Sequence, residues 1–472
     1  MWFSQRENQR ENRQQRCKSA GGEGNGRARS VGVAEGKGMT DRGAGTGVRL
    51  ILDISRLLRT ARRTSPSGID RVEFAYARHL LAHWPSACFL ARDPWHRFYA
   101  VPRPLVERLV ATIGEDWAER EAGAPPAALG TARLIQGRLL LGLGRREFLA
   151  LLRQSVPRLL LHVAHSALER PGALQRLRAT GVAFVPLIHD LIPATHPEYA
   201  RPGEAERHLR RIATTAELAD GVIVNSAATA EALAPHLARR ADPPPVLVAP
   251  LGTDQPQVPA PPVPLEPYFV VLGTIEPRKN HLLLLNLWRQ FAARMGAAAP
   301  RLLIVGRRGW ENENIVDMLD RCAALRPIVQ ELGPLPDRRV AALLKGARAL
   351  LFPSFVEGYG LPLVEALSLG TPVICSDLPA LREVGGDVPD YLDPLDGAAW
   401  RALILDYAKP GSPARRAQLQ RLARWRAPCW QEHFARVEAF LHRLPAVGSA
   451  LAPRPALAPE DRPLARPARE SP

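Results

Sequence analysis

The sequence predicts an α/β protein made of two doubly wound halves that face each other across a cleft, and three observations carry that expectation. Short apolar runs alternate with helix-length segments through most of the chain, a proline-rich segment parts the runs into two groups, and 472 residues exceed what one ordinary core organises.

In the first group the runs are VRLILDIS (48–55), ACFLARD (87–93), LLLHVAH (159–165), VAFVPLIHD (182–190), GVIVNS (221–226) and VLVAPLG (246–252). In the second they are YFVVLGT (268–274), RLLIVG (301–306), ALLFPS (349–354) and TPVICSD (371–377). Apolar residues at successive positions lack the alternation of a half-exposed strand, so these runs are expected as parallel strands covered on both faces. Between the groups, PLGTDQPQVPAPPVPLEPY (250–268) has prolines that can continue neither a helix nor a central strand, which marks a linker and hinge. The expected organisation is an N-terminal domain over 48–262, a C-terminal domain over 263–425, and a helix within 426–445 returning to the first domain. Open parallel sheets bind ligands at their strand carboxyl ends, which here would border the cleft.

Residues 1–47 are rich in Gly, Arg, Gln, Asn and Glu, and residues 446–472 repeat Pro and Ala, so both ends are expected to be disordered. Met39 stands just before the first strand and marks an alternative start. No apolar run approaches the roughly 20 residues of a spanning helix, and the N-terminus lacks the apolar stretch of a signal peptide, so a cytoplasmic protein is expected. Five scattered cysteines form neither a CxxC pair nor a Cys/His cluster at zinc spacing.

The net charge of +16 suggests a polyanionic partner, but the excess is spread thinly and falls mostly in the N-terminal half. No basic stripe interleaved with aromatics and no reading motif points to nucleic acid. An anionic lipid surface, a phosphorylated acceptor, or simply an arginine-rich composition accounts for the charge as well.

Chemistry concentrates in two clusters. GTIEPRKNH (273–281) follows the strand YFVVL: Gly273 lets the backbone turn, Thr274 follows, and Arg278 and Lys279 set two cations at the cleft mouth. The chain has only five lysines, so Lys279 beside an arginine suggests two jobs: a planar fork for phosphate and a compact point charge. Together they could neutralise a diphosphate leaving group without metal, the alternative being a solvated charge pair at a helix start. PSFVEGYGLPLVEAL (353–367) follows the strand ALLF. There Gly358 and Gly360 permit unusual backbone angles, Tyr359 and Leu361 complete the loop, and Pro362 suits the first turn of a helix whose N-terminus attracts anions. Glu357 lies in the loop, free to accept hydrogen bonds from sugar hydroxyls. Glu365 lies in the helix, where it could take both hydroxyls of a ribose or stabilise the helix N-terminus.

GTIEPRKN and the paired glutamates of EGYGLPLVE resemble the family 4 retaining glycosyltransferases of GT-B fold, in which two Rossmann-like domains face a central cleft. SGIDRVEFAYARHL (67–80), LIHDLIP (187–193), VNSAATAEAL (224–233), PLGTD (250–254), SDLPALREVGGD (376–387) and PCWQEHFARV (428–437) extend the resemblance over roughly residues 49–444. The resemblance implies that Arg278 and Lys279 hold a donor diphosphate and that Glu357 contacts the transferred hexose. It further implies that the backbone from Gly358 to Leu361 binds sugar and phosphate, with Gly273 and Thr274 beside it, and that Glu365 holds the ribose. Ser67 and Gly68 would form the phosphate-facing loop of the first domain, with one glycine where many relatives have two. His189 would face the reacting sugar, Asp190 beside it could orient the ring or sit structurally, and Asn225 would support them. No DxD triplet occurs, so no metal is expected, and no cofactor beyond the nucleotide-diphosphate sugar co-substrate. The expected acceptor is a glycan or lipid-linked molecule of surface polysaccharide assembly, with GDP-mannose as first donor and possible peripheral contact with an anionic membrane at its inner face. The rivals are a sugar hydrolase or phosphorylase and a catalytically silent sugar-nucleotide binding or scaffold module.

Overall fold

A computed structural model describes residues 48–63, 65–121, 123–254 and 266–444. The two expected disordered ends, the alternative start at Met39 and most of the proline-rich linker lie outside the described residues. The chain forms two open sheets. The first comprises β1 (Arg49–Asp53), β2 (Cys88–Arg92), β3 (Phe98–Val101), β4 (Arg158–His162), β5 (Val182–Ile188), β6 (Val222–Val224) and β7 (Val246–Val248), in the order β3-β2-β1-β4-β5-β6-β7. The second comprises β8 (Tyr268–Leu272), β9 (Arg301–Val305), β10 (Val329–Gly333), β11 (Leu350–Phe352), β12 (Val373–Ser376) and β13 (Asp390–Leu392), in the order β10-β9-β8-β11-β12-β13. All pairings are parallel except β2 with β3. The order reverses at β1/β4 and at β8/β11, the switch points at which open α/β sheets leave a crevice.

The apolar runs explain the central strands. β5 is buried at all seven positions, as a strand covered by helices on both faces must be. Strands β3, β10 and β13 lie outside the runs marked in the sequence. They are sheet edges, and β10 and β13 are only partly buried, so they carry no continuous apolar signature.

Local signals fix the helices that border the cleft. Helix Gly68–His83 opens with a reciprocal capping box, in which the Ser67 hydroxyl accepts from the Asp70 amide and the Asp70 carboxylate accepts from the Ser67 amide. Helix Leu361–Ser368 begins after Gly360 at φ 99°, with Pro362 in its first turn. Helix Trp430–Arg443 packs on the first lobe: the His433 ring meets the Tyr76 hydroxyl at 2.9 Å, and the His79 ring stacks on Phe434 at 3.7 Å. Buried apolar side chains form a cluster continuous from the first lobe into the second. The Tyr359 hydroxyl also donates to the Leu251 carbonyl at 2.6 Å, and the Ala227 amide donates to the Glu383 carboxylate. Among the described residues no helix is long and apolar enough to cross a membrane.

Candidate functional site

β8 delivers the first cluster. After Leu272 the chain turns through Gly273, makes a short turn over Pro277–Lys279, and enters helix His281–Met295 from Asn280 in left-handed conformation. Lys279 folds back over Gly273, which adopts a positive φ of 142°, and its ammonium stands 4.5 Å from the centre of the Phe352 ring. β11 delivers the second cluster, and the two meet at Glu357. Lys279 Nζ donates to Glu357 Oε1 at 2.6 Å, and Arg278 Nη1 stands 2.8 Å from Oε2. Arg278 is fixed further by the Val356 carbonyl at 3.1 Å and the Glu276 carboxylate at 2.6 Å.

Lys279 is buried and Arg278 and Glu357 are partly buried, and the charge balance follows from that. Burial raises the Glu357 pKa, but Arg278 and Lys279 outweigh it and hold the carboxyl at about 2. Burial pulls Lys279 down, only partly offset by Glu357, whereas Arg278 ends above its ordinary value because Glu357 and Glu276 overcome its desolvation. Glu357 therefore differs from the sequence expectation of a carboxylate free for hydroxyls. Both its oxygens already serve cations, and a sugar would use their remaining lone pairs.

Glu365 makes no hydrogen bond or ion pair with this trio among the described residues. It faces the first lobe, 3.6 Å from Arg71 Nε, and burial raises its pKa against the pull of that arginine. Arg71 also forks onto Asp337 at 2.6 and 2.8 Å. Sequence reasoning missed Arg71 and Asp337. The available signal was an arginine in the first turns of a helix already placed at the cleft.

On the first lobe, the Ser67 hydroxyl is occupied by its capping role and by Arg56 Nη2 at 3.1 Å. A side chain at Gly68 would come within 3.1 Å of Leu361, so this helix start abuts the donor-side loop. His189, at the carboxyl end of β5, directs Nε2 to the Val163 carbonyl at 2.8 Å, which leaves Nδ1 as the acceptor nitrogen of a neutral ring. Burial lowers its pKa to about 4. Asp190 does not bond to the His189 ring; its carboxylate caps the Ile192 amide at 3.1 Å. Asn225 Nδ2 donates to the His189 carbonyl at 2.9 Å. Against this strand end lies Gly358, whose carbonyl accepts from Ser226 Oγ at 2.7 Å and Thr229 Oγ1 at 3.3 Å. A side chain there would come within 2.5 Å of the His189 carbonyl oxygen. Among the described residues no group of three or more His, Cys, Asp or Glu side chains is placed to hold a metal ion.

The arrangement can hold a pyrophosphate and a sugar: two cations beside a helix N-terminus, an acid between them, and a second acid one helical turn beyond. Residues 260–388 match the family model for glycosyl transferases group 1. O-antigen chain mannosyltransferase B of Escherichia coli is 35% identical over 164 residues, which is 35% of this chain and 42% of that protein. Serotype-specific mannosyltransferase WbdA of Escherichia coli is 30% identical over 278 residues, 53% of this chain and 33% of that protein. The chain thus spans less than half the length of either relative. Sucrose-phosphate synthase of Thermosynechococcus elongatus shares the fold at TM-score 0.54 and 18% identity, covering 84% of this chain and 99% of that one. The fold is GT-B, residues 260–388 match group 1 glycosyl transferases, and the sequence similarity of the chain runs to mannosyltransferases.

Proposed function

We propose that this chain is a retaining hexosyltransferase that moves a sugar, mannose from GDP-mannose in the first instance, from a nucleotide diphosphate to a glycan or lipid-linked acceptor of surface polysaccharide synthesis. The convergence of Arg278 and Lys279 on Glu357 at the ends of β8 and β11 is the observation that carries it. The mannosyltransferase names of the Escherichia coli relatives support the sugar.

The positions of these residues support the following roles. The donor lies along the second lobe with its ribose at Glu365, its diphosphate at Arg278, Lys279 and the amides from Gly358 to Leu361, and its hexose against Glu357. The start of helix Gly68–His83, with Ser67 and Gly68, closes over the phosphates. As the anomeric C–O bond breaks, both electrons go to the diphosphate, and the two cations stabilise that charge without a metal ion. The acceptor hydroxyl oxygen then bonds to the anomeric carbon on the same face, and its proton passes to the departing diphosphate oxygen. Neutral His189 offers a hydrogen-bond acceptor to a sugar hydroxyl, while Asp190 and Asn225 fix the strand end that carries it.

A thermal-shift panel of UDP, GDP, ADP and their sugars, followed by transfer assays with the stabilising donor, tests this function. A selective rise in melting temperature and nucleotide release dependent on acceptor are expected. Stabilisation without turnover across acceptors would favour a silent binding module. Turnover that requires free phosphate would favour a phosphorylase.

A further inference from the structure

Eleven large apolar side chains are exposed among the described residues, and five of them, Leu134, Leu140, Leu141, Leu143 and Leu149, fall in one short helix-turn-helix of the first lobe. Helix Ala128–Leu140 buries Ala128, Thr131, Ala132, Ile135 and Leu139 against the lobe. One flank of it carries Leu134, Arg138 and Leu141 at helical spacing, and Leu140 lies on the other flank. The chain then turns through Gly142 and Gly144, both at positive φ, into helix Arg145–Leu152. This turn is not loose. Gly144 accepts from the Ala100 amide of edge strand β3 at 3.2 Å, so tightly that a side chain at Gly144 would overlap the Ala100 carbonyl. Phe148 packs near Phe98 of the same strand. The anchored turn nevertheless holds Leu140 at 57% and Leu141 at 78% exposure, and a side chain at Gly142 would meet only open space.

The charge around these leucines is one-sided. Residues 123–153 carry five arginines, Arg133, Arg138, Arg145, Arg146 and Arg153, and a single acid, Glu147. None of the five forms an ion pair with a described residue, although ion pairs are common elsewhere on this surface. A folded chain that exposes leucines on a rigid protruding turn and rims them with unneutralised guanidinium groups matches one environment closely. It is the interface of an anionic bilayer, where apolar side chains enter the acyl boundary and basic ones meet lipid phosphates.

We propose that the turn joining helices Ala128–Leu140 and Arg145–Leu152 is a membrane-docking surface that inserts Leu140, Leu141 and Leu143 into an anionic phospholipid leaflet. This goes beyond the transferase activity and does not depend on the donor. If the acceptor is lipid-linked, docking through the first lobe would hold the cleft near the leaflet.

The test is co-flotation of the full chain with vesicles of phosphatidylcholine alone or mixed with phosphatidylglycerol. The expected result is flotation with the mixed vesicles only, weakened by salt. It should be abolished by the paired change Leu140→Ser and Leu141→Ser, and reduced roughly fivefold per residue by Arg145→Gln and Arg146→Gln, since a basic residue near an anionic leaflet contributes about 1 kcal/mol. Circular dichroism and nucleotide-induced thermal shift should match wild type in every variant, and the arginine variants, lying on the surface, keep the test open if the leucine pair misfolds. Residues 1–47 remain in all variants, so flotation that survives both sets of changes overturns the proposal by placing contact elsewhere. Absence of flotation by the wild type also overturns it, as does a wild-type dimer that Leu140→Ser and Leu141→Ser make monomeric, since the leucines would then face a second copy of the chain.

Discussion

Arg71 of the first lobe holds two carboxylates of the second: its guanidinium forks onto Asp337 at 2.6 and 2.8 Å and stands 3.6 Å from Glu365. Glu365 is the acid proposed to take the ribose, and it accepts both hydroxyls best when ionised. Burial raises its pKa and Arg71 opposes that rise, so Arg71→Ala moves the pKa further up. Nucleoside diphosphate affinity of this variant should fall below that of wild type at a mildly acidic pH and recover at a mildly alkaline one, as the carboxyl ionises again. Calorimetric titration at the two pH values checks this, and a wild-type constant at both would separate Glu365 from nucleotide binding.

Glu357 neutralises one buried and one partly buried cation, so its loss should affect both chemistry and stability. Glu357→Ala is expected to abolish transfer and to lower unfolding free energy by about 3 kcal/mol while the chain still folds. The acid dependence has a defined sign. The folded carboxyl titrates at about 2, below its ordinary value, so its stabilising contribution is complete above that ordinary value and is lost as pH falls toward 2. The variant should show a flatter loss of stability in acid than wild type. Turnover by Glu357→Ala would remove this residue from the mechanism.

Lys279→Ala tests whether the ammonium stabilises the leaving group rather than holding the donor in its ground state. The expected outcome is a fall in kcat of roughly a hundredfold or more with a much smaller change in KM. EDTA should leave wild-type turnover unchanged. A raised KM at constant kcat, or complete EDTA inhibition reversed by magnesium, would transfer the catalytic role away from this lysine.

With its pKa lowered to about 4, His189 carries no charge at neutral pH. The rate profile should then show no histidine inflexion attributable to it between about pH 5.5 and 8. His189→Ala should lower kcat and leave the shape of that profile unchanged. If instead the variant loses an inflexion that wild type shows near pH 6.5, the ring titrates during turnover.

What the sequence revealed and what it hid have separate physical causes. Central strands such as β5 are buried along their whole length and therefore read as unbroken apolar runs. Edge strands β10 and β13 are half-solvated and look like loops. The clusters around Arg278 and Glu357 were legible because glycine, proline and charge together follow a strand. The ion pair of Lys279 with Glu357 was not, since residues 78 positions apart meet only through the β8–β11 pairing. Arg71 was harder still, because its partners lie on the other lobe. Nothing in the sequence separates the exposed leucines of 134–149 from core leucines; only their solvent exposure distinguishes them.

Gly358 offers a probe of lobe closure that leaves every charged group in place. Its backbone does not adopt a positive φ, so alanine there brings no intrinsic strain and acts only through its added methyl. That methyl would stand 2.5 Å from the His189 carbonyl oxygen and 2.7 Å from Asp190 Cβ, pushing the loop that carries Glu357 away from the end of β5. The hydrogen bond from Ser226 to the Gly358 carbonyl and that from Tyr359 to Leu251 would lengthen together. Overpacking of this kind costs about 1–3 kcal/mol, and a displacement of about 1 Å at reacting groups can cost a hundredfold in rate. Gly358→Ala should therefore lower kcat about a hundredfold, while nucleotide affinity, to which the Gly358–Leu361 amides contribute only part of the contacts, changes less than about tenfold. Equal losses in both would mean that this loop acts through ground-state binding rather than through closure, and wild-type kcat would mean that the reaction does not require the lobes to meet at this glycine.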